Sequence, residues 1–179
     1  YTTPDVTAAV TWNPLLSEIV KTPGSHKVFD SSFIPGEIID LMVVNSATLT
    51  AHPELGKALT GAWYETMALM SGTDERAKAA RTQMAKASGT DLVGYEAQLA
   101  ATRMFYQAKD AVTFTNSTQL KSTMQQVAEF SFAHGLLGDS APNAQMVGIE
   151  TPSGIYGDSQ NVKLRFDPGF MQLAADGKL

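Results

Sequence analysis

The chain contains no cysteine and only three histidines. Disulfides, thiolate catalysis and cysteine-based zinc sites are therefore excluded. His26, His52 and His134 are widely separated, without the H-x-x-x-H spacing that sets two imidazoles on one helix face. No apolar run approaches the roughly 18 residues that span a bilayer; residues 38–44, among the longest, are interrupted by Asp40. Basic clusters are missing as well. Lys and Arg number 13 against 18 Asp and Glu, for a net charge of −5, and they are scattered. Nucleic acid needs a basic stripe to neutralise its phosphates, and an anionic membrane surface is disfavoured for the same reason. The sequence has no G-x-S-x-G elbow, no G-x-G-x-x-G and no P-loop. Residues 151–154 (TPSG) lack the first glycine of the elbow, and Gly135-Leu136-Leu137-Gly138 reads as a helix stop. The first residues, from Tyr1, are neither basic nor strongly apolar, so they do not read as a signal peptide.

What is present describes a folded globular chain. Apolar residues make up 44% and charged residues 17%, which argues against disorder, and 179 residues suit one domain or slightly more. Residues 6–12 (VTAAVTW) are apolar and β-branched, as in a buried strand. Asn13-Pro14 then offers an N-cap and a first-turn proline, with Leu15, Leu16 and Ile19 on one helix face. Pro23-Gly24 stops that helix, residues 27–29 predict a second strand, and Asp30-Ser31-Ser32 a polar loop. Pro35-Gly36 forces a turn, and residues 41–44 predict a third buried strand. This alternation predicts an α/β arrangement with a largely parallel sheet.

From His52 the pattern becomes helical. One helix is expected from Pro53 to Ser71-Gly72, a second over 74–87 ending at Gly89, and a third over 91–106. Residues 110–114 are ambiguous. A fourth helix is expected over 118–134, with Asn116 and Gln119 at capping-box spacing. Beyond Asp139 the chain is rich in Gly, Pro, Ser and Asn; residues 162–166 alternate as an exposed strand would, and 170–175 suit a short helix. Three buried parallel strands followed by helices alone form part of a sheet, because parallel strands need neighbours and cover on both faces.

Two segments stand out as more than scaffold, residues 10–14 (VTWNP) and 30–40 (DSSFIPGEIID). Trp12-Asn13 falls at the C-terminal end of an expected parallel strand, the edge where open α/β sheets bind ligands. Ser31 and Ser32 bring hydroxyls, Gly36 allows a close backbone approach, and Glu37 and Asp40 bring carboxylates for a cation or N–H donor. Each has a structural alternative: Trp12 as a core aromatic, Glu37 as a first-turn acid favoured by the helix dipole, Asp40 as a solvated charge. Trp63 sits on a helical stripe and reads as core. No catalytic group, metal ligand or cofactor motif is recognised.

Residues 8–14 (AAVTWNP) resemble a segment of the nitrate/sulfonate/taurine group of substrate-binding proteins of ABC transporters. The order of the following helix and strands, and the helix start His52-Pro53-Glu54-Leu55, fit the same group. Residues 30–40, Leu164-Arg165-Phe166 and residues 171–177 resemble its urea-carboxylase-associated subgroup. The resemblance covers essentially the whole chain. It implies a C-terminal half of a two-lobed, type II periplasmic-binding-protein-like fold. On that basis residues 1–40 end the second lobe, 41–179 return through the hinge into the first, and the N-terminal half of the same protein supplies the remaining strands and the other wall of the cleft. It further implies a periplasmic or lipid-anchored location, a membrane permease as partner, and capture of a small nitrogenous solute resembling urea or guanidine by Trp12, Asn13, Ser31, Ser32, Gly36, Glu37 and Asp40. Two alternatives are an enzyme like the thiamine-precursor synthases on the same fold, disfavoured by three separated histidines, and a helical protein-interaction domain centred on 50–138.

Overall fold

The computed structural model describes residues 5–179. These form eight α-helices, one short 3₁₀ turn and a three-stranded mixed sheet, so the described chain is mixed α/β and rich in helix. They divide into two units interleaved along the sequence. One comprises the chain up to Phe33 together with Ala68–Met104; the other comprises Ile34–Met67 with Phe105–Leu179.

In the first unit, α1 (Leu15–Lys21) follows Asn13-Pro14 as expected, but Pro14 stands at the N-cap and no side chain caps the helix. Asn13 instead accepts a hydrogen bond from the Ser17 hydroxyl at 2.7 Å. The Ser31–Phe33 3₁₀ turn follows. Helix α4 (Glu75–Ala87) is capped by the Asp74 carboxylate, which accepts from Ala77 N–H. Asp91 does the same for α5 (Leu92–Ala100), accepting from Gly94 N–H. The two helices pack together, and Ala77 and Ala85 of α4 are each 1% exposed. Across it, the Tyr95 hydroxyl approaches Met84 Sδ at 3.6 Å. Helix α5 ends six residues before the predicted limit, and no glycine or proline marks that end.

In the second unit, Asn45 caps α2 (Ser46–Ala51) through Ala47 and Thr48 N–H, a helix the periodicity did not disclose. Helix α3 (Pro53–Ser71) begins on its proline and ends before Gly72, and its last turn belongs to the first unit. Residues 108–115 form α6 (Ala108–Thr115), which packs on α8 (Gly169–Ala175). Helix α7 (Thr118–Ala133) is capped by Ser117, which accepts from Leu120 N–H, and not by Asn116. Leu120, Thr123 and Met124 of α7 are buried with Ala111, Val112 and Thr115 of α6.

The sheet has the order β2-β1-β3, with β1 (Gly148–Thr151) antiparallel to β2 (Gly154–Tyr156) and parallel to β3 (Val162–Arg165). β3 shows the alternation expected of it, and Arg165 pairs with Glu150 across the ladder at 3.0 Å. Tyr156 lies against α7 at 6% exposure, and its hydroxyl is buried without a protein hydrogen-bond partner. Burial, and then the Glu129 carboxylate, push its ionisation up. An unpaired buried hydroxyl costs about 1–3 kcal/mol, so Tyr156→Phe is expected to raise the melting temperature by a few degrees. A lower melting temperature would show that the hydroxyl has a partner.

The three strands expected over 6–12, 27–29 and 41–44 do not form; the backbone there is irregular and makes no ladder hydrogen bonds among the described residues. A strand is a paired object. These segments have the side chains of interior strands but no neighbour to exchange ladder hydrogen bonds with. Val10, Val28 and Val43 are all exposed as a result.

Candidate functional site

In the first unit, Trp12 lies just before α1 and is 81% exposed. That excludes a core role for its ring among the described residues. The Asn13 carbonyl oxygen is engaged by Ser17, which orients the amide and leaves its NH₂ group as a donor. Next to α1 in sequence, Lys27, Asp30 and Ser32 form a closed polar turn. One Asp30 oxygen accepts Lys27 Nζ at 2.6 Å, and the other accepts both the backbone N–H and the hydroxyl of Ser32. Lys27, and then Ser32, hold the Asp30 carboxyl well below the usual carboxylate range. Ser32 is thereby committed to the turn, whereas Ser31 carries no such bond and is exposed. Phe29 and Phe33 stack beside the turn with ring centroids 5.4 Å apart.

The remaining sequence-derived residues fall in the second unit. Gly36 has φ +88°, as the Pro35-Gly36 turn requires, and a methyl group added there would come into van der Waals contact with the Phe114 ring. Glu37 closes that turn by donating its N–H to the Ile34 carbonyl at 3.2 Å, which is a loop role and not a first helical turn. Asp40 is exposed, outside any helix or strand. Of the seven residues, the first unit thus groups Trp12 with Asn13 and Ser31 with Ser32, and the second holds Gly36 and the two carboxylates.

Sequence reasoning did not single out Lys27 or Asp30 as the organisers of the turn. The Asp-x-Ser spacing of an Asx turn was the available signal. His52 lies 3.3 Å from Glu54, and His134 bonds the Phe130 carbonyl and stacks on its ring. Among the described residues no group of three or more His, Cys, Asp or Glu is placed to hold a metal ion, and no helix is long and apolar enough to cross a membrane.

Comparisons with known proteins return nothing: no family model, no curated protein and no solved structure matches the chain.

Proposed function

We propose that the chain is a solute-binding component of an ABC importer, the C-terminal half of a two-lobed protein that captures a small nitrogenous solute resembling urea or guanidine. The observation that carries this is the Trp12 indole. It is a large aromatic face held open beside an amide donor, in the same unit as the Ser31 hydroxyl. A planar N–H-rich solute stacks on such a face, and a cationic one gains further from the ring quadrupole. The Asn13 NH₂ group donates to a carbonyl, and Ser31 both donates and accepts. Asp30 is engaged by Lys27 and Ser32, and the candidate residues of the first unit, Trp12, Asn13, Ser31 and Ser32, include no acid to pair with a cation. A urea-like neutral solute suits that set better than guanidinium, which calls on a carboxylate. The remaining strands and the other cleft wall come, in this proposal, from the N-terminal half of the same protein. Solute then stabilises the closed state in proportion to its differential affinity, and the closed form is presented to a membrane permease outside the cytoplasmic membrane.

Calorimetric titration with urea, guanidinium, nitrate and taurine tests the proposal. Saturable binding of urea or guanidinium is expected, and Trp12→Ala is expected to weaken guanidinium binding about two- to fivefold, since a cation on an exposed aromatic face is worth about 0.5–1 kcal/mol. Trp63→Phe is expected to leave it unchanged. Tight binding of nitrate or taurine with none of urea or guanidinium would refute the solute class.

A further inference from the structure

Four large apolar side chains are exposed in the last turn of α7 and the turn that follows it: Phe130 at 59%, Phe132 at 38%, Leu136 at 70% and Leu137 at 38%. The buried residues of α7, Leu120, Thr123 and Met124, all lie in its first half. Exposed apolar clusters of this kind mark interaction surfaces.

The cluster is pinned by hydrogen bonds. Leu136 N–H donates to the Ser131 carbonyl at 2.8 Å and Gly135 N–H to the Phe132 carbonyl at 3.0 Å, with Gly135 at φ +71°. This is a Schellman closure, which turns the residue after the glycine back onto the last helical turn. His134 adds a second tie. Its Nδ1 bonds the Phe130 carbonyl at 2.9 Å, and its ring stacks on Phe130 with centroids 3.9 Å apart. The apolar surface is thus set before any partner arrives, which lowers the ordering cost of binding.

Its charge is one-sided. Residues 122–162 contain four acids, Glu129, Asp139, Glu150 and Asp158, and no Lys or Arg. Glu150 is paired with Arg165. Glu129 and Asp139 flank the apolar cluster in sequence, are exposed, and form no ion pair among the described residues. Lys121, the last base before the cluster, sits in the first turn of α7 with its ammonium beside Gly154. The helix dipole adds partial negative charge at the C-terminal end of α7.

We propose that the end of α7 docks a basic amphipathic helix of a partner protein. The apolar stripe of that helix seats on Phe130, Phe132, Leu136 and Leu137, and its Lys or Arg residues face Glu129 and Asp139. Charge selects this occupant. A second copy joined about a two-fold axis would set the patch on itself, acid against acid, and an anionic lipid surface is repelled in the same way. Backbone chemistry selects a helix. The carbonyls of Phe130, Ser131 and Phe132 are already bonded within the closure, so an incoming strand finds no ladder there. The surface shares no residue with the solute reading and stands without it.

Fluorescence anisotropy of a labelled peptide tests the proposal. The probe carries leucine on one helical face and lysine on the other. One control peptide exchanges lysine for glutamate, and a second exchanges leucine for serine. Saturable binding of the probe is expected, weakening with added salt, and neither control is expected to bind. Leu136→Ser is expected to weaken the probe about tenfold, and Asp139→Lys to weaken it and flatten its salt dependence. Val93→Ser, on the exposed surface of α5, is expected to leave it unchanged. All three positions are exposed, so unchanged thermal melts are expected of these variants. Four results would each overturn the proposal: no saturable binding of the probe, equally tight binding of the glutamate peptide, equal binding by the unaltered chain and Leu136→Ser, or self-association of the chain that Leu136→Ser abolishes, which identifies a second copy as the occupant.

Discussion

Gly157→Ala is expected to destabilise the sheet of the second unit by about 3 kcal/mol or more, combining left-handed backbone strain with overpacking. Gly157 has φ +80°, and a methyl group there would run into the Val147 carbonyl and crowd Gln145 O at 3.1 Å. Neither carbonyl is free to retreat. The segment after β2 is clasped over the segment before β1 by Asp158 N–H to Gln145 O, Asn161 Nδ2 to Met146 O and Gly148 N–H to Asn161 O, at 2.8–3.0 Å. Gly138→Ala separates the two contributions. Gly138 also has positive φ, at +87°, but nothing lies within 4 Å of its added methyl. It is expected to lose only the backbone term, about 1–2 kcal/mol. Urea denaturation of both variants checks this. Equal losses would mean that the clasp over 145–148 is not tight.

Arg81→Ala is expected to cost about 2–4 kcal/mol, the range for removing a mostly buried cation from charged hydrogen bonds. The Arg81 side chain is 14% exposed. Its Nη1 donates to the Met70 carbonyl at 2.8 Å and the Gly72 carbonyl at 2.7 Å, and Nε donates to Glu96 at 3.0 Å. The two carbonyls lie at the C-terminal end of α3, where helix geometry leaves acceptors without partners and the dipole favours a cation. A single side chain from α4 thus closes the end of α3 and reaches α5. Lysine carries the charge but not the fork, so Arg81→Lys is expected to recover less than half of the loss. Glu96 is 46% exposed, and Glu96→Gln is expected to cost no more than about 1 kcal/mol. A Glu96→Gln loss as large as that of Arg81→Ala would place the stabilisation in the ion pair and not in the helix-end carbonyls.

The helices were legible where local chemistry and periodicity agree. Pro53 opening α3, Asp74 and Gly89 bounding α4 and the apolar stripe of α7 are each set within a few residues of chain. Where two cappers adjoin, locality was insufficient: Asn116 and Ser117 both qualify by type, and the turn leaving α6 gives the position to Ser117. The strands divide in the same way. β3 was visible from its alternation, whereas β1 and β2 are too short and too close to Pro152-Ser153 to show a period. Their existence depends on pairing between residues distant in sequence, as when Ile149 meets Leu164. Residues 6–12 show the converse, with strand composition and no strand, because propensity does not supply a neighbour.

For the candidate site, the sequence by itself determined which functional groups are available: an aromatic at a strand end, an amide, two serines and two acids, with no thiol and no histidine pair. Only the tertiary structure decided which of them are free. Ser32 is spent on Asp30, Asp30 on Lys27, and Glu37 lies in a turn, while Trp12 remains uncovered. The reason is physical. Residue type sets what a side chain can donate, accept or stack on, but whether it still has that capacity depends on neighbours that hydrogen-bond geometry selects only once the chain has folded.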